Sequence, residues 1–84
     1  MDSQIIDTLL SNIDKIHTTR MGIGRIKRNL KLAMDDDEVL DYCIGRIKEY
    51  DDVIVNGKNY YVHVGDEIFT VNRTSFTIIT AHLK

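Results

Sequence analysis

The sequence predicts an α+β domain: three helices packed on one face of a four-stranded antiparallel β-meander. Two observations carry this. The apolar period changes after Asp51-Asp52, from near 3.6 residues to 2, which is the change from a helix face to a strand face. Beyond that point Asn56-Gly57, Gly65-Asp66 and Asn72-Arg73-Thr74-Ser75 read as turns. The hairpins they imply bring one apolar set to one side of the sheet.

The first helix is predicted over about residues 3–16. Ile5, Ile6, Leu9, Leu10, Ile13 and Ile16 recur at three- and four-residue steps, and Ser3 suits the N-cap. His17-Thr18-Thr19 breaks the pattern. Thr18 or Thr19 then caps a second helix, about 19–30, with a narrower stripe of Ile23, Ile26 and Leu30. Gly22 and Gly24 each cost about 1 kcal/mol inside a helix, which points to a close backbone approach or a frayed first turn. They are no dinucleotide fingerprint, because Lys27 stands where a third glycine belongs and no strand precedes them. The third helix, about 36–48, has the strongest signals. Asp35 and Glu38 have capping-box spacing. Asp36, Asp37 and Glu38 suit the positive end of the helix dipole, and Arg46 and Lys48 suit the negative end. Val39, Leu40, Cys43, Ile44 and Ile47 form its apolar face.

Strands are predicted over about 53–56, 58–64, 67–72 and 75–83. The turns set Val53 opposite Tyr60, Val62 opposite Phe69, Tyr60 opposite Val71, Val71 opposite Phe76 and Phe69 opposite Ile78. Val53, Val55, Tyr60, Val62, Val64, Phe69, Val71, Phe76 and Ile78 then face the helices. Tyr61, His63, Ile68, Thr70, Thr77 and Ile79 occupy the other face.

A length of 84 residues allows one domain, spanning 1–84. With 43% hydrophobic and 29% charged residues, the chain is neither a disordered tail nor a fibre. Its apolar runs are too short to cross a bilayer, and no basic, then apolar, leader opens it, so a soluble cytoplasmic protein is expected. One cysteine excludes an internal disulfide framework. The net charge of −2 hides an asymmetry. Residues 1–34 carry +3, residues 35–56 carry −6 and residues 57–84 carry +1.

Two stretches resemble a known family. One is His17-Thr18-Thr19 with Gly22, Arg25, Ile26, Asn29 and Leu30. The other is Gly57 to Val62 with Val71-Asn72-Arg73 and Ser75 to His82. Together they resemble a family of short bacterial proteins known only as a domain of unknown function. The resemblance implies a stand-alone bacterial or phage-carried protein and no named activity. Helices followed by a four-stranded meander also resemble, in plan alone, the barnase, colicin and RelE-like ribonuclease toxins.

The leading functional reading is a small non-catalytic protein-binding module, a phage- or mobile-element-carried inhibitor of a host defence enzyme, anti-CRISPR-like. Its contact residues are Asp36, Asp37 and Asp41 on the acidic block and Arg20, Lys27, Arg28 and Lys31 on the basic arc of the second helix. The acidic block imitates phosphate charge, and the basic arc also suits nucleic acid. The first alternative is a ribonuclease-toxin-like enzyme on the exposed sheet face. There His63 is the general acid or base, Tyr61, Thr70 and Thr77 hold substrate, and Arg73 stabilises the phosphorane. The second alternative is a small metal-binding protein. The expected registers put His63 and His82 on opposite faces, which leaves His17 and Cys43, provided the first and third helices pack end to end. As a nucleophile Cys43 competes with a simpler role, a small buried hydrophobe. No cofactor and no membrane contact are expected.

Overall fold

The computed structural model describes residues 3–84, with side chains from Gln4 onward. The cap expected of the Ser3 side chain lies outside these described residues. Helix α1 covers Ser3–Ser11, a 3-10 turn covers Ile13–Lys15, and strand β1 is His17–Thr18. Helices α2 and α3 cover Arg20–Leu30 and Asp36–Lys48. Strands β2 to β5 cover Asp52–Asn56, Asn59–Val64, Glu67–Asn72 and Thr77–Leu83.

The first helix stops at Ser11 rather than near Ile16. The Asn12 side chain donates to Thr8 O at 2.8 Å, a local bond that competes with the helix ladder. The 3-10 turn still delivers Ile16 to the core, where it is buried. Helix α2 is capped as expected, with Thr19 Oγ1 accepting from Gly22 N–H at 3.0 Å. At α3 the Asp35 N–H donates to Glu38 Oε1 at 3.2 Å, and Glu38 N–H donates to Asp35 O at 3.0 Å. The capping-box spacing therefore marks the true start.

The sheet corrects the meander. It has five strands in the order β1-β5-β4-β3-β2 and is mixed, because β1 runs parallel to β5 with His17 beside Thr77 and Thr18 beside Ile78. The segment read as a mere break is thus the sheet's fifth strand. β2 to β5 form the antiparallel meander. Phe69 faces Val62 and Tyr60 faces Val71, as expected.

Two registers differ. The first hairpin turns at Gly57-Lys58, so Val53 faces Val62 and Val55 faces Tyr60. Gly57 alone of the pair has a positive φ, 64°, the pattern of a turn with glycine first rather than of Asn-Gly. A two-residue shift leaves every side chain on its expected face. The last turn differs more. Phe76 N–H donates to Asn72 O at 3.0 Å, closing a four-residue loop, Arg73 to Phe76, in which Phe76 itself takes φ 57°. Val71 then faces Ile78 and Thr70 faces Thr80, which leaves Ile79 as a bulge. The bulge reverses the phase of the strand's end. Ala81 enters the core, and Phe69 faces Ala81 instead of Ile78.

All three helices contribute to one core on one face. Leu9, Ile26, Val39, Cys43, Ile47, Val62, Phe69, Val71 and Ile78 are fully buried there. Gly22 marks a close approach: a Cβ added to it would collide with Thr18 Oγ1 and come within 3.1 Å of Ile78 O, whereas one on Gly24 would meet open space. Among the described residues no helix is long and apolar enough to cross a membrane.

Candidate functional site

The segment of α2 contains no acidic residue. Its inward positions, Gly22, Ile26 and Leu30, are buried against the sheet. The opposite side must therefore carry the charge. Arg20, Arg25, Arg28 and Lys31 are exposed there and make no ion pair among the described residues. Met21 lies within this stripe at 68% exposure. Lys31 closes the helix in a left-handed conformation, φ 58°, its N–H bonded to Lys27 O.

The acidic block begins where α2's stripe ends. Lys27 Nζ lies 2.9 Å from Asp36 Oδ1 and joins the two blocks directly. Asp36, Asp37 and Asp41 are exposed. Of the seven residues expected to contact a partner, Lys27 and Asp36 are thus spent on each other, while Arg20, Arg28, Lys31, Asp37 and Asp41 remain open to solvent. The sequence-level segregation of charge becomes a bipolar surface in space.

A cluster that sequence reasoning missed holds α3 in place. Tyr42 Oη donates to Glu67 Oε2 at 2.6 Å, and Arg46 Nε donates to Glu67 Oε1 at 2.9 Å. Arg46 also reaches Val64 O at 3.3 Å. Burial, with the Glu67 carboxylate beside it, pushes the Tyr42 phenol up to about 12. The hydrogen bond to Glu67 likewise raises Arg46. The only sequence signal was the i, i+4 spacing of Tyr42 and Arg46 on one helix side.

The residues assigned to ribonuclease chemistry are scattered. His63 lies beside Asp52 and Ile68, at the end of the sheet near the Gly65-Asp66 turn. Arg73 lies in the loop at the other end of β4, where it donates to Gly57 O at 3.3 Å and stacks 5.9 Å over Tyr60. Five strand positions separate Ile68 from Arg73, roughly 16 Å, too far for both to hold one phosphate. Tyr61 and Thr70 sit side by side between them. Thr77 instead meets His17: its Oγ1 is 3.0 Å from His17 Nε2 and 2.8 Å from Ser75 Oγ.

The metal candidates are likewise apart. Both ring nitrogens of His17 are occupied, by Thr77 Oγ1 and by Lys15 O at 3.0 Å. Cys43 is buried in the core, and burial pushes its thiol up to about 12. A thiol held protonated is a poor ligand and a poor nucleophile. His63 and His82, expected on opposite faces, instead flank Ile68 in one row, because the Ile79 bulge turned the strand over. Among the described residues no group of three or more His, Cys, Asp or Glu converges.

The stretches that carry the resemblance, His17 to Leu30 and Gly57 to His82, form the parallel β1–β5 contact, α2 and the meander. The family described as "Protein of unknown function (DUF3781)" matches residues 10–82. The chain belongs to this family. The match thus starts at the end of α1 and takes in β1, both later helices and nearly all of β5. No curated protein and no solved structure matches.

Proposed function

We propose that this DUF3781 protein is a non-catalytic protein-binding module that engages its partner through charge. One observation carries the reading: a stripe of unpaired cations on α2 abuts a stripe of unpaired carboxylates on α3, and Lys27 and Asp36 meet where the two stripes join. A uniform polyanion such as nucleic acid is attracted by the first stripe and repelled by the second. A folded protein with a complementary bipolar surface satisfies both. The finer form of the proposal is an inhibitor of a host defence enzyme, of the anti-CRISPR kind, carried by a phage or mobile element. Its support is the small size and the row of exposed carboxylates, which resembles phosphate charge. The test is capture of partners on the immobilised wild-type chain and on two charge-reversed chains, Arg28→Glu with Lys31→Glu, and Asp37→Lys with Asp41→Lys. A specific partner should be lost from both variants, with a steeper loss at low salt. A partner retained equally by both would refute the reading. Restoration of phage growth on a defended host tests the finer form.

A further inference from the structure

We infer that the outer edge of β2 binds β2 of a second copy, joining two sheets antiparallel about a two-fold axis at Ile54. β2 ends the sheet on one side; α1 touches it, and no strand covers its outer edge among the described residues. The pairing frame follows from the hairpin. Asn56 and Asn59 close the two-residue loop, so Asn56, Ile54 and Asp52 direct their main-chain groups toward β3. Val53 and Val55 direct theirs outward. The Val53 N–H confirms this direction, since it is held by its neighbour's Asp52 Oδ1 at 2.9 Å rather than by β3.

The segment Asp52-Val53-Ile54-Val55-Asn56 is close to a palindrome in chemistry. A two-fold axis at Ile54 sets Val53 opposite Val55 of the second copy. Val53 N–H then meets Val55 C=O and Val55 N–H meets Val53 C=O, each twice by symmetry. β3 leaves these groups free, and pairing displaces the Asp52 carboxylate that otherwise accepts from the Val53 N–H. Ile54, 47% exposed on the uncovered sheet face, meets its own counterpart. Charge agrees with this register. Asp52 faces Asn56 of the second copy, and the exposed Lys58 at the turn comes diagonally beside Asp52 of the other chain. The strand carries neither a Pro nor a Lys, the usual guards of an open edge. The far edge does not repeat the opportunity, because β1 is two residues long and α2 packs along β5, with Asn29 Nδ2 bonded to Thr80 Oγ1 at 3.3 Å. The association therefore closes as a pair and does not extend into a fibre.

The test is sedimentation of the full chain over a concentration series, with oxidative cross-linking of single-cysteine substitutions. The wild type should approach twice the 9.7 kDa of one chain. Ile54→Lys puts like charges face to face and should raise the concentration needed for pairing by about tenfold or more. Ile54 residues across the axis lie about 4.5 Å apart between Cα atoms, within disulfide reach, so Ile54→Cys should cross-link rapidly. Asn56→Cys should not, since its copies lie about 13 Å apart along the strands. A wild-type mass of one chain at the highest concentration would overturn the proposal. So would equal cross-linking at the two positions, an Ile54→Lys chain that pairs as well as the wild type, or growth into open-ended species.

Discussion

Lys27 Nζ lies 2.9 Å from Asp36 Oδ1 and ties the last turn of α2 to the first turn of α3. Asp36 is largely exposed, so the pair contributes little to stability, below about 1 kcal/mol. Lys27→Ala should therefore shift the urea midpoint only slightly. A loss of several kcal/mol would mean that the pair holds the helices together.

The core side of the sheet centres on Phe69, which is fully buried between Val62 and Ala81. Phe69→Ala should cost about 3–5 kcal/mol. For a domain whose total stability is of order 5–15 kcal/mol, much of the population should unfold. Thermal melting read by circular dichroism checks this, and a variant that melts within a few degrees of the parent contradicts the packing.

Two glycines two residues apart in α2, and so on nearly opposite sides of the helix, should respond in opposite directions. Gly22→Ala drives a methyl into Thr18 Oγ1 and toward Ile78 O, and should destabilise. Gly24→Ala adds its methyl to open space and should stabilise by about 1 kcal/mol through helix propensity alone. Denaturant unfolding of both variants compares them directly. Equal effects would show that α2 is not pressed against β1 and β5 at Gly22.

Tyr42 sets an alkaline limit. Its phenol is raised from 10.0 to about 12 in the folded chain, so the neutral form is favoured by folding. The stability it supplies is complete below pH 10 and is lost as pH rises through about 12. Glu67→Gln removes the carboxylate and should bring the Tyr42 titration down toward its ordinary range, with burial keeping part of the rise. Ultraviolet titration of the tyrosines reads the shift. An unchanged Tyr42 titration would assign the whole effect to burial.

The elements with many local signals were legible in the sequence. Asp35, Glu38 and the apolar stripe of α3 are neighbours in the chain, so its bounds were readable. β1 was not, because two residues show no period and the partner of His17 lies 60 residues away, at Thr77. The Ile79 bulge was hidden by chemistry, since Ile78 and Ile79 are both apolar and either suits a buried position. The same illegibility misplaced His82. For the candidate site, the cations of α2 were visible in the sequence as a run. Their contact with Asp36, and the Tyr42–Glu67–Arg46 cluster, depend on how helices and strands meet, which periodicity does not encode.

The bulge at Ile79 makes β5 two half-strands of opposite phase. Ile78 serves the core from the first half and Ala81 from the second, with Ile79 as the spacer between them. β5 therefore carries one residue more than its pairing with β4 uses. Deleting Ile79 would put the halves in one phase and leave a regular strand, in which Thr80 follows Ile78 directly, still opposite Thr70, and Ala81 stays inward opposite Phe69.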